Sequence, residues 1–252
     1  MVDFPLLVFV VSFVLLVMAV WAGDFLRKRS KSPEEPNRDD SGVVLAGVLT
    51  LLGLIIGFSF AMATSRYDLR KNSEQAEANA IAVVYMRADL LPPADAARAH
   101  ELLKRYVDQR IAFYSTRNRG EQEKIADNTA QIQNELWSSI QAALEPLPPQ
   151  MEGLFVSSMN DVVVSRISTG AVWSNRIPTG VWVLIMVTSI GCNLLIGYRA
   201  RKTDWLVFMV MPVAVSISLF LISDLDSPRG GAISVMPQNL ISLSQSLGSG
   251  VK

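Results

Sequence analysis

Apolar residues gather in four unbroken blocks, 4–23, 43–64, 178–198 and 205–223, none of which contains a charged side chain. A helix needs about 20 apolar residues to cross a hydrocarbon core, so each block predicts a transmembrane helix. Trp21, Trp182, Tyr198 and Trp205 stand near block ends, where an amphipathic ring bridges lipid and water. Pro212 lies in the middle of the fourth block and predicts a kink. The first block has no basic leader, is long for a signal peptide, and exits through Ala19-Val20-Trp21-Ala22-Gly23-Asp24 without a cleavage signature. It reads as a retained span.

Between the second and third blocks the pattern changes to amphipathic helices. The second span should continue through Glu74, Glu77 and Ala80 to about Leu91, where Pro92 and Pro93 stop it. A helix from about Ala94 carries Leu102, Leu103, Tyr106, Val107 and Ile111 on one face. Beyond Gly120 a third stripe runs through Ile125, Thr129, Ile132, Leu136, Ile140 and Leu144, ended by Pro146, Pro148 and Pro149. A fourth, from about Met151 to Trp173, carries Leu154, Phe155, Met159, Val162 and Arg166. Apolar stripes with short joints predict a bundle. The expected fold is all-α: an integral membrane protein with four transmembrane helices and a helical-bundle soluble insert between the second and third. Its segments are 1–64 (first membrane pair and connector), 65–177 (bundle), 178–223 (second membrane pair) and 224–252 (tail). Strand-like alternation is confined to 232–235, too short to decide.

Composition agrees: half of the 252 residues are hydrophobic, an unusual share for a soluble domain. Lys and Arg balance Asp and Glu at 23 each, which speaks against a polyanion partner such as nucleic acid. The single cysteine, Cys192, excludes an intrachain disulfide. His100 and the scattered acids lack metal-ligand spacing. Arg27, Lys28, Arg29 and Lys31 open the first connector, beside anionic headgroups. With Arg199, Arg201 and Lys202 in the other short connector, they lean the count of basic residues toward cytoplasmic connectors and a bundle outside.

No nucleophile elbow, phosphate loop, HExxH or paired Cys-His set appears, so an enzyme is not expected. Glu74, Glu77 and Asp89 read as exposed helix residues. The second span is more informative. Ala46, Thr50, Gly53, Gly57 and Ala61 form a narrow small-residue face that favours close helix packing in lipid. Leu51, Leu54, Ile55 and Phe58 either meet lipid and neighbouring helices or ring a pore, which an apolar constriction closes by expelling water. After the fourth span, Asp224-Leu225-Asp226-Ser227-Pro228-Arg229-Gly230-Gly231 describes a tight interfacial turn, either a cap or a set of oxygens for a hard cation.

At these places the chain resembles bestrophins. Residues 52–58 followed by Ser65-Arg66-Tyr67-Asp68-Leu69-Arg70 look like the bestrophin pore helix, and Asp224-Leu225-Asp226 with Pro228 is similar to the acidic turn after the last bestrophin span. Glu77-Ala78-Asn79-Ala80-Ile81, Arg87 to Pro92 and Tyr106-Val107 resemble more closely the bacterial bestrophin-like family, over nearly the whole chain. The resemblance implies a pentamer of four-span subunits in the inner membrane, passing inorganic ions. The second helix would line the pore, with Leu54 and Phe58 at the neck and Leu51 and Ile55 adjacent. It also implies calcium at Asp224 and Asp226, and a bundle in the cytoplasm, against the basic-residue count. Two departures stand out: no Arg-Trp pair follows Tyr67-Asp68, and the acidic run is shorter. The competing reading is a non-conducting sensor or scaffold whose bundle binds a ligand or partner protein.

Overall fold

The computed structural model describes residues 4–29, 38–145, 148–199 and 205–249. Lys31, Arg201, Lys202 and Pro146 therefore lie outside the described residues. Among the described residues eight helices follow in order: α1 (Pro5–Arg29), α2 (Arg38–Ala88), α3 (Pro93–Ser115), α4 (Arg119–Leu144), α5 (Pro149–Ser174), α6 (Thr179–Arg199), α7 (Trp205–Asp226) and α8 (Gln238–Ser249). No strand occurs among the described residues. Among the described residues four helical stretches are long and apolar enough to cross a membrane.

The helix ends follow local chemistry. α2 stops at Ala88, and a turn closed by Leu90 N–H to Arg87 O (2.9 Å) and Leu91 N–H to Ala88 O (3.0 Å) carries the chain to the prolines. Pro93 opens α3 and Pro149 opens α5, where proline's missing donor would have no helical partner anyway. Asn118 caps α4 by accepting the Gly120 N–H at 2.9 Å. α7 runs through Pro212 without interruption.

The chain forms two compact units. The first comprises residues 1–67 and 176–234, the second 68–175 and 235–252; α2 contributes to both. The expected tail at 224–252 is thus divided, and its last part is a helix, α8, that the sequence pattern did not announce.

In the first unit α1 packs on α6 and α7. The core gathers Leu16, Leu52, Ile185, Cys192, Val215 and Leu219, with a second cluster of Ala63, Ile177, Ile222 and Leu225. α1 and α6 touch backbone to backbone. A Cβ on Gly23 would fall 2.1 Å from Leu194 O, and one on Gly197 would fall 2.0 Å from Val20 O. In lipid, where tails are as apolar as leucine, such close approach is what holds helices together.

In the second unit α3 packs on α4 and α8. Most of the stripes expected on α3 and α4 is buried: Leu102, Leu103, Tyr106 and Val107 on one, Thr129, Ile132, Leu136, Ile140 and Leu144 on the other, while Ile111 and Ile125 at their ends are only half-buried. On α5, Phe155, Met159, Val162 and Trp173 are buried, whereas Leu154 lies one residue off the stripe and is exposed.

Candidate functional site on the second helix

Each unit packs against one face of α2 and leaves another open. Leu52, Ser59 and Ala63 are buried in the first unit, with Ile55 and Ile56 packed against its core. In the second unit the same periodicity buries Arg70, Glu74, Glu77, Ile81, Val84 and Ala88. The other side is open. Gly47, Leu51, Leu54, Phe58, Ala61, Ser65, Asp68 and Asn72 are all exposed and follow one another in alternating steps of four and three. This seam follows one face of the helix, as steps of three and four do on any α-helix, within a wider exposed surface that includes Thr50, Gly53, Gly57, Phe60 and Met62.

Three of the expected neck residues lie on this seam, with Leu51 50 %, Leu54 54 % and Phe58 65 % exposed. Ile55 does not; it is half-buried against its own chain. Gly53, Gly57 and Ala61 are exposed as well, and a Cβ on Gly53 or Gly57 would meet nothing within 4 Å. Within one chain, the close-packing glycines are Gly23 and Gly197 instead. Only 11 % of the apolar window of α2 is buried, against 28 % to 44 % for the other three spans, so this helix has the least company inside its own chain.

The acids of α2 depart from expectation. Glu74 and Glu77 are buried, 1 % and 0 % exposed, not surface residues. Asp89 is exposed, with its Oδ1 3.4 Å from His100 Nε2. Glu77 accepts from Arg110 Nε, from Arg110 Nη2 at 3.2 Å, from the Tyr114 hydroxyl at 3.1 Å and from the Thr169 hydroxyl at 3.4 Å. The Arg110 guanidinium also stacks over Phe113, 4.4 Å from its centroid. Burial first, then the Glu77 charge, pushes the Tyr114 phenol well above its ordinary pKa, and Tyr106 shifts upward for the same two reasons. Glu74 clasps the start of α8, accepting Leu240 N–H at 2.9 Å and Asn239 Nδ2–H at 2.6 Å. A signal for this burial existed: Arg70, Glu74 and Glu77 continue the stripe of Ile81, Val84 and Ala88.

The acidic turn after α7 is also buried. Asp224 accepts Ala232 N–H at 2.7 Å and Ile233 N–H at 2.8 Å, and Asp226 accepts Ile177 N–H at 3.0 Å. A Cβ on Gly231 would stand 2.6 Å from Asp224 Oδ1, so only glycine lets the chain fold back here. Calcium takes roughly six to eight oxygen ligands; here both Asp224 oxygens and Asp226 Oδ1 already accept backbone amides. Among the described residues, no group of three or more acidic, His or Cys side chains converges on a metal position.

A family model described as the Bestrophin-like domain matches residues 8–240. Three point mutants of a bacterial bestrophin homologue from Klebsiella pneumoniae share the architecture. One matches with a TM-score of 0.69 at 12 % identity, covering 96 % of each chain. A second gives 0.66 at 12 % identity, covering 97 % of each. A third gives 0.65 at 13 % identity, covering 95 % of this chain and 97 % of that one. At these identities the likeness is one of fold alone. No curated protein sequence matches the chain.

Proposed function

The chain belongs to the Bestrophin-like family, and from that premise we propose that several copies assemble in the inner membrane as an ion channel around their α2 helices. The carrying observation is the exposed seam of α2, which is uncharged from Gly47 to Ser65. With 11 % of its apolar window buried, against 28 % or more for the other spans, α2 has the most surface left for neighbouring copies to cover. On this reading Leu54 and Phe58 form a hydrophobic neck with Leu51 beside it. Such a constriction passes ions when it wets and stops them when it dries, with no charged gate. Gly53, Gly57 and Ala61, beside or on the seam, let neighbouring copies approach closely. Five copies are the number that the bestrophin resemblance implies. The reaction is passage of ions, not bond chemistry. Asp224 and Asp226 serve as backbone caps.

Two measurements test the assembly. On a Cys192→Ser background, Leu54→Cys should cross-link chains into dimers under mild oxidation, while Met18→Cys, exposed on α1, should not. The mass of the detergent-solubilised particle should be a multiple of the subunit mass. A monomeric particle with no Leu54→Cys cross-link contradicts the proposal. The basic-residue count and the bestrophin resemblance give opposite sides for the bundle. Impermeant maleimide on intact cells separates them: reaction at Ser115→Cys puts the bundle outside, protection puts it inside.

A further inference from the structure

α4 and α5, both in the second unit, leave between them a cavity of about 780 Å³, within the size range of small-molecule sites. Ser138 and Ala142 on the α4 side are too short to fill it. Its floor is apolar, since Ile140, Leu144, Phe155 and Met159 are all buried. The half-buried Trp137 lines it as well. Charge at the rim has one sign. Glu145 is the C-cap residue of α4 and Glu152 stands in the first turn of α5, both exposed, while no Lys or Arg lines the cavity among the described residues. Glu152 offsets the positive end of α5, which Pro149 brings to the same cavity. At α4 the opposite holds: Glu145 adds to the negative end of the helix, and its last turn carries no basic residue. The result is an apolar cleft with a negative mouth.

We propose that this cleft binds a bulky organic cation with apolar substituents, of the quaternary ammonium or phosphonium kind. The apolar arms leave water against the floor. The Trp137 indole offers a π-face to the cationic centre, and Glu145, Glu152 and the carbonyl end of α4 attract its charge. The same groups repel an anion of equal shape. A neutral ligand gains the floor alone. The site lies within the bundle, so it stands apart from the question of whether α2 lines a pore.

The test is equilibrium dialysis of the full-length protein in a neutral detergent against tetraphenylphosphonium, with protein-free micelles as the blank. Binding should saturate with a Kd on the order of micromolar. Tetraphenylborate, of the same shape and opposite charge, should not compete. Glu145→Gln with Glu152→Gln should weaken binding about fivefold or more, and Trp137→Leu about threefold. Ala142→Trp, which puts an indole into the cleft from an exposed position, should abolish it. Asp95→Asn with Asp127→Asn, which removes acids from a different cavity between α3 and α4, should change nothing. All these sites but the half-buried Asp95 and Trp137 are exposed, and helical circular dichroism checks that each variant keeps the fold. Uptake no greater than that of the blank, equal binding of the borate, or an affinity indifferent to both the paired Gln variant and Ala142→Trp overturns the inference.

Discussion

Glu77 on α2 and Arg110 on α3 form an ion pair removed from water, with side-chain exposures of 0 % and 4 %. Tyr114 and Thr169 complete the shell around the same carboxylate. Removing one partner strands the other charge in the interior, which costs about 3–5 kcal/mol. Arg110→Met should therefore lower the stability of the bundle by about that amount. Adding Glu77→Met should recover more than half of the loss, since the stranded charge disappears. Thermal unfolding in detergent, followed by helical circular dichroism, measures both. Equal stability of the single variant and the native chain would show that the pair carries nothing.

The same cluster sets an alkaline limit. Tyr106 and Tyr114 have pKa values raised on folding, so the folded chain holds their protons more tightly than the unfolded chain. Their contribution is fully present below the ordinary phenol pKa of about 10 and is lost as pH rises above it. Of the five tyrosines in the chain, these two should ionise only with loss of the bundle. Tyrosinate absorbance and circular dichroism, titrated together, check this. Full ionisation with helicity and tertiary signals unchanged contradicts it.

Gly23 and Gly197 should not tolerate side chains. Their would-be Cβ atoms run into backbone carbonyls, not flexible side chains. Ala at either site should destabilise the α1–α6 pair by about 1–3 kcal/mol, as overpacking does. Ala at Gly53 should leave the folded monomer untouched, because nothing within its own chain stands near. The Tm of the three variants in detergent separates the cases.

Asp224→Asn is nearly isosteric, yet it should destabilise the turn by about 1–3 kcal/mol. The new amide nitrogen would face a backbone N–H where a carboxylate oxygen now accepts one. Gly231→Ala should do likewise through steric overlap. Adding or chelating calcium should shift the Tm of neither variant nor of the native chain; a calcium-dependent Tm in the native chain alone would restore the metal reading.

Much of the architecture is legible in the chain because membrane spans and amphipathic stripes are collective signals. Proline pairs punctuate them, and the limits of α1, α3, α5 and α6 fall within a few residues of the pattern or extend it by a turn or so. Individual polar residues are harder. Glu74 and Glu77 read as surface acids because a carboxylate is seldom buried without partners, and theirs, Arg110, Thr169 and Asn239, lie far along the chain; the local stripe shared with Ile81 and Val84 was the one signal. α8 is short, and its four Ser with Asn239 and Gly248 weaken its helix propensity, so it depends on the Glu74 clasp and packing on α3. Of the four residues the sequence offered for a neck, Leu51, Leu54 and Phe58 are exposed, whereas Ile55 packs against the core of the first unit, a division that depends on long-range packing.

Single-channel conductance of purified oligomers is the most direct measure of whether the α2 seam lines a pore. Phe58→Ala and Leu54→Ala, which remove bulk from the proposed neck, should each raise conductance or open time several-fold. Phe25→Ala, equally apolar and exposed on α1, should change neither. If the neck variants conduct like the native chain, or if none of these oligomers passes current, α2 does not line a pore.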